Sequence, residues 1–194
     1  MEFYHIDKNN SLTEGQLLQF RSIDPNYKIA ELFPEGLSAF GQDITGLKYK
    51  PTNTLLENFS MRIDWQCMTM LNVELIFELV RQKYFSHLPS RFQCIFATDE
   101  INLPHWKKVL SNNSNAHLVE LSIEHDNYCK LDASFLTGGL GTYNDAANIQ
   151  DGPYFYSVER FLKNAWHYWS GEASDKPEWE FLITPPAKVI RIIR

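Results

Sequence analysis

Four short segments of this chain gather residue types that do chemistry: Phe3–Asp7 (FYHID), Pro89–Glu100 (PSRFQCIFATDE), Ala165–Gly171 (AWHYWSG) and Glu178–Pro186 (EWEFLITPP). The last opens with two carboxylates at E-x-E spacing, Glu178 and Glu180. A carboxylate fixed at the mouth of a strand can stabilise positive charge as it develops on a reacting group. The first segment places His5 in an aromatic strand, and the second offers the hydroxyls of Ser90 and Thr98. Arg91 adds a guanidinium fork, whose geometry suits phosphate oxygens. Each group also has an ordinary structural role open to it: His5 as a core histidine, the two glutamates as a solvated edge, and Arg91 as a partner for loop carbonyls. The Trp166-His167-Tyr168-Trp169 cluster reads as core and helix surface. The glycine-rich TGGLGT stretch at 137–142 lacks a following lysine and the GxGxxG spacing, so it reads as a turn rather than a phosphate loop.

The elements that must carry these residues follow from periodicity and punctuation. Residues 2–6 alternate as a short strand and end at the turn cluster Asp7-Lys8-Asn9-Asn10. Residues 25–54 hold three prolines and three glycines, which predicts a long irregular region with short elements. The spacing predicts a helix over 71–85, with Glu74, Glu78, Arg81 and Gln82 on one solvated arc and an apolar remainder. Residues 91–97 read as a core strand, 104–110 as a short helix opened by Pro104, and 117–123 as a strand. Residues 137–153 read as a polar loop. A second helix is expected over 157–169, with Ser157 as N-cap and Gly171 past its end, and with Phe161, Leu162 and Trp169 buried. Residues 180–183 and 188–193 read as strands separated by Pro185-Pro186. The order is not the regular strand–helix alternation of a doubly wound sheet, so the fold class is α+β in a single domain covering residues 1–194.

Composition bounds the rest. A chain of 194 residues with 44% apolar and 22% charged residues is long enough to bury a core without staples. The formal net charge of −6 argues against non-specific nucleic-acid binding through the overall field. Cys67, Cys94 and Cys129 are odd in number and widely spaced. They form no CxxC metal pattern and no disulfide framework, and they read as buried thiols of a reducing compartment. No apolar run of about 18 residues exists, and the first residues lack a basic region followed by an apolar stretch. The expected address is the cytoplasm, with no membrane partner and no metal.

The first, second and fourth segments resemble the signature strands of mono-ADP-ribosyltransferases. His5 stands where that superfamily carries a His or Arg on its first strand, Phe96-Ala97-Thr98 where a middle strand ends in a small hydroxyl-bearing run, and Glu178-Trp179-Glu180 where a late strand opens. The layout is most similar to rifamycin-modifying ADP-ribosyltransferases, through the aromatic-aromatic-His strand, the stretch Leu12-Thr13-Glu14-Gly15-Gln16-Leu17-Leu18 and the F-x-T strand end. Over most of its length the chain also resembles a bacterial family known only as a domain of unknown function.

The resemblance implies an ADP-ribosyltransferase-like split mixed sheet with flanking helices, and NAD as the substrate. Cleavage of the nicotinamide–ribose bond passes through an oxocarbenium-like sugar, as glycoside hydrolysis does. It assigns catalysis to Glu180 with Glu178, and a ribose contact to His5. Tyr49 would stack on nicotinamide, with Phe96 or Tyr84 as competitors, while Ser90 and Thr98 bond the cofactor and Arg91 pairs with the pyrophosphate. The acceptor implied is a macromolecule, a protein or RNA or DNA, in a bacterial toxin, effector or phage-defence setting with a possible antitoxin. The Ser-Thr-Ser run of arginine-modifying members is not present, so the acceptor is not specified. His5 and Glu180 are expected on neighbouring strands facing one cleft, with Thr98 at its edge.

Two alternatives belong to other classes. Arg81 and His87 fit the R-x(4–6)-H spacing of a family of helical ribonucleases, where Arg and His attack RNA by general acid–base chemistry. A non-enzymatic interaction module or toxin partner is the third, and its sign would be a filled core around His5 and Glu180.

Overall fold

In a computed structural model, residues 2–45, 61–110, 116–123, 127–136 and 158–193 are described, without the side chains of 61–69 and 158. Tyr49, Ser157 and the glycine-rich loop lie outside the described residues. The elements are β1 (Phe3–Asp7), β2 (Leu17–Leu18), α1 (Ile29–Leu32), α2 (Ala39–Ile44), α3 (Met61–Tyr84), β3 (Ile95–Ala97), α4 (Leu103–Leu110), β4 (His117–Ser122), β5 (Tyr128–Asp132), α5 (Val158–Trp169), β6 (Trp179–Ile183) and β7 (Ala187–Ile193). They form an α+β fold with two sheets, ordered β1-β4-β7-β2 and β3-β6-β5. Every strand pairing is antiparallel. The expected mixed sheet is therefore corrected: no parallel pair occurs among the described strands.

The two sheets meet at one corner. Tyr4 and Thr98 form an isolated antiparallel bridge, with both N–H···O distances at 2.8 Å. Beyond that bridge β1 and β3 part. Phe3, Ala97, Val119, Leu121, Phe181, Ile183, Ala187 and Val189 fill the space between the sheets. The other face of β3-β6-β5 carries Cys94, Leu131 and Leu182, which pack on Val73, Phe77 and Val80 of α3 and on Phe161, Ala165, Tyr168 and Trp169 of α5. Side chains alternate across a strand, so Phe181 faces the sandwich interior while Glu180 and Leu182 face the helices.

Several expectations are met closely: β1, α4, β4, α5, β6 and β7 fall within a residue or two of their predicted ranges. Phe161 and Trp169 are buried, and Leu162 packs at the edge of the same cluster. Three predictions are corrected. The helix predicted from 71 begins ten residues earlier, at Met61. The strand predicted from 91 begins only at Ile95, because Arg91–Gln93 form a turn closed by Gln93 N–H to Ser90 O at 2.9 Å. The third concerns the polar arc of α3, of whose four residues Gln82 alone is exposed. Glu74 and Glu78 are buried, whereas Leu75 and Leu79 are more than half exposed. The sheet-facing side is where Arg91, Ser90 and Arg81 give those carboxylates partners.

Burial of Phe161 within the helix–sheet core predicts that Phe161→Ala costs about 3–5 kcal/mol. Chemical denaturation measures this as a lower midpoint at unchanged slope.

Candidate functional site

Arg91 stands at the centre of a buried polar network. Its Nε and Nη2 donate to the two carboxylate oxygens of Glu74 on α3, at 2.8 and 3.0 Å. Its Nη1 donates to the Tyr168 hydroxyl at 2.6 Å and to Glu180 of β6. Tyr168 in turn donates to the same Glu180 oxygen at 2.7 Å. The guanidinium lies over the rings of Phe96, at 4.7 Å, and Tyr168, at 5.4 Å. Burial works against the charge on Arg91, but Glu180 and Glu74 outweigh it and hold its pKa well above the ordinary value. Burial, reinforced by Glu180, likewise keeps the Tyr168 phenol protonated well above its usual range.

Beside this network Ser90 donates to Glu78 at 2.8 Å and accepts from Phe92 N–H at 3.2 Å. Arg81 is held by Glu78, at 2.8 and 3.0 Å, and donates to Leu88 O at 2.7 Å. Arg91 and Ser90 thus have their polar groups engaged inside the fold, and Glu180 is held there through one of its two carboxylate oxygens.

His5 lies elsewhere. It shares the inward face of β1 with Phe3 and stands at the corner where β1 and β3 part. Its Nδ1 is 2.7 Å from Phe96 O. A carbonyl only accepts, so Nδ1 carries the proton and Nε2 of the neutral ring is the acceptor. Burial lowers the His5 pKa, and the Phe96 bond offsets only part of that. The expectation that His5 and Glu180 face one cleft is therefore corrected. Glu180 is on the helix side of β3-β6-β5 and His5 on the other, because alternation along β6 sends Phe181, not Glu180, towards β1.

An open cleft of about 300 Å³ lies at His5. It is walled by Leu12 and the β2 strand, by Phe20 and Arg21, by Ser38–Phe40 and by Cys94–Phe96. Ser38 caps α2, accepting from Gly41 N–H at 3.1 Å and donating to Phe92 O at 3.0 Å. A Cβ on Gly41 would stand 2.1 Å from Phe92 O, so α2 seats against the 90–92 turn only with glycine there. Phe40 meets Phe96 edge-on, with ring centroids 4.9 Å apart.

Backbone groups open on the same cleft. Tyr4 spends its N–H and C=O on Thr98, so the residues two along on each strand, Ile6 and Phe96, direct theirs to the parted edges. Among the described residues Phe96 O is taken by His5, while neither Phe96 N–H nor the Ile6 pair has a hydrogen-bond partner.

Of the eight residues singled out in the sequence, His5 and Phe96 line this cleft. Ser90, Arg91 and Glu180 form the buried network, which does not line the cleft but adjoins it where Arg91 lies over the Phe96 ring. Thr98 is buried and serves the bridge. Glu178 stays half exposed, 3.7 Å from His105 Nε2. Asp132, which accepts from the N–H groups of Ser174 and Glu178 at 2.8 Å each, orders the chain entering β6. Tyr49 lies outside the described residues. Tyr84 is more than half exposed, against Trp166. Arg21, Phe20 and Phe40, which also line the cleft, were missed.

Cys94 is buried and Cys129 half-buried, both as free thiols. Burial pushes the Cys129 pKa up to about 12 and the Cys94 pKa higher still, which suits packing rather than nucleophilic attack. Among the described residues no cluster of three or more His, Cys, Asp or Glu could hold a metal, and no helix is long and apolar enough to cross a membrane.

Residues 3–194 match the model of a family described as a protein of unknown function, DUF2441. The chain belongs to the DUF2441 family. No curated protein matches it. For this DUF2441 member the site must accordingly be judged on its own geometry.

The network sets a clear order of damage. Arg91→Met leaves two buried carboxylates without their cation and should cost about 3–5 kcal/mol. Glu180→Gln keeps the shape and leaves Arg91 paired with Glu74, so about 1.5–3 kcal/mol is expected. Denaturation of both variants checks this order, and a Glu180→Gln protein as stable as wild type would remove Glu180 from the framework.

Proposed function

We propose that this chain is an ADP-ribosyltransferase-like domain that binds NAD in the His5 cleft and transfers ADP-ribose to a macromolecular acceptor. The observation that carries the proposal is His5 itself, held by Phe96 O at the parting of two strands, its acceptor nitrogen without a partner among the described residues. A ribose hydroxyl is the natural donor to that nitrogen. The Phe96 N–H, which has no partner among the described residues, can donate to the carbonyl of a primary carboxamide. Phe20, Phe40 and Phe96 supply aromatic surface. The volume sits at the lower end of the roughly 300–1,000 Å³ range of ligand pockets, enough for one nucleoside half of the dinucleotide.

Strand order lends further support. The three strands that carry the resemblance are successive neighbours: β1 touches β3 through Tyr4 and Thr98, and β3 pairs with β6.

In the transfer the bond between nicotinamide and C1′ of its ribose breaks, and an acceptor nucleophile bonds to C1′ and loses its proton. Nicotinamide leaves with the bonding pair. The acceptor is a protein, an RNA or a DNA. A toxin, effector or phage-defence setting, with an antitoxin as partner, fits a reaction of this kind.

A second reading has a specific observation in its favour. Glu180 is held by Arg91 and Tyr168 on the helix side of its sheet, and neither Glu178 nor Glu180 lines the cleft. On that reading the domain binds the dinucleotide without turning it over, as an interaction module. The ribonuclease alternative is weaker, because Arg81 is tied to Glu78 and Leu88 O.

NAD titration by calorimetry, with label transfer from NAD in cell lysate, separates these readings. Binding with labelled product is expected, whereas binding without product favours the module and no binding overturns both. His5→Ala should weaken NAD binding by about 10-fold. Because the His5 pKa is lowered, the acceptor nitrogen is fully available above the ordinary value of 6.5. Affinity should therefore hold level from pH 8 to 6.5 and fall only as the pH drops through the lowered value. A fall beginning above pH 7 would contradict this role for His5.

A further inference from the structure

The described lining of the His5 cleft contains no aspartate or glutamate and one side chain that is always cationic, Arg21. In a chain of net charge −6 this is a local reversal of sign. Arg81, Arg91 and Arg191 pair with Glu78, with Glu74 and Glu180, and with Glu120 respectively. Arg21 is exposed and pairs with no carboxylate among the described residues.

Its backbone, in contrast, is fixed. Arg21 N–H donates to Leu37 O at 2.8 Å, and Leu37 N–H donates to Arg21 O at 3.0 Å. Gly36 makes that bridge possible. Its φ is +104°, and a Cβ there would lie 2.4 Å from Arg21 O. A long cationic side chain is thus mounted on a rigid point of the cleft wall, on the same wall as Phe20 and across from the strand edge of Cys94–Phe96.

We propose that Arg21 is the residue that binds the phosphoryl oxygens of the ligand in this cleft. The planar guanidinium offers parallel N–H donors that match two oxygens of one phosphate. Arg91 is barred from that role by Glu74 and Glu180, although its sequence context favoured it. The inference rests on the NAD reading for the identity of the ligand, but the oxyanion contact is tested apart from it. Arg21 acts as a binding residue and takes no part in bond breaking.

The test is calorimetry of wild type, Arg21→Gln and Arg21→Lys with NAD, inorganic pyrophosphate and adenosine, each at low and at physiological salt. Arg21→Gln should lose roughly 10- to 100-fold in affinity for NAD and for pyrophosphate, with adenosine unchanged. Arg21→Lys should recover part of the loss, since the charge returns without the fork. Wild-type pyrophosphate binding should weaken as salt rises, a measurement that needs no variant. Pyrophosphate binding that depends on Arg21 in a protein that ignores NAD would uphold the phosphoryl contact and overturn the dinucleotide reading. NAD binding that is equal in wild type and Arg21→Gln would overturn the role of Arg21 and leave the dinucleotide reading standing. A wild type that binds neither pyrophosphate nor NAD overturns both.

Discussion

One buried cation organises half of this molecule. Arg91 must be neutralised where no water reaches it, and an unpaired charge there would cost several kcal/mol. Glu74, Glu180 and the Tyr168 hydroxyl meet that need from three different elements. Helix α3, helix α5 and strand β6 are consequently fixed to the 90–92 turn and to each other. The same constraint explains why α3 shows water the side it does. Glu74 and Glu78, four residues apart, share one helix face, and that face turns inward because Arg91, Ser90 and Arg81 are there to receive it. Leu75 and Leu79 are left outside.

The cost of such a network is that its members are fixed in place. Glu180 accepts from a guanidinium and a phenol at one oxygen, and this hold keeps it on the helix side of the β3-β6-β5 sheet, apart from His5 and its cleft. The helix side is a closed electrostatic framework. The sandwich side ends in an open corner, where β1 and β3 hold together by one bridge and then separate. Antiparallel strands that part leave polar backbone edges, which a compact protein ordinarily covers. Here the edges face a cleft furnished with His5, aromatic rings and Arg21. Backbone groups without partners among the described residues, beside a neutral histidine, are what the proposed binding role rests on.

Much of this molecule was legible in its sequence, and the reason is local. Strands β1, β4, β6 and β7 announce themselves by alternation, α5 by helical spacing with Gly171 beyond its end, and the α+β class by the order of elements. His5 and Phe96, both singled out in the sequence, line one cleft, whereas the expected pairing of His5 with Glu180 in that cleft is not found. Tertiary structure decided the rest. Periodicity shows that Glu74 and Glu78 share a face but not which way that face turns, since the direction depends on Arg91 some seventeen residues away. Two-residue alternation puts Glu180 and Phe181 on opposite faces of β6, yet only the packing of Phe181 against Phe3 determines which face meets β1. Strands β2 and β5 and helix α2 are short, and each exists through a partner: Leu17 through Lys188, Tyr128 through Ile183, Ser38 through Phe92. Arg21 carries no local mark at all. It belongs to the cleft only because Gly36 lets Leu37 close on its backbone.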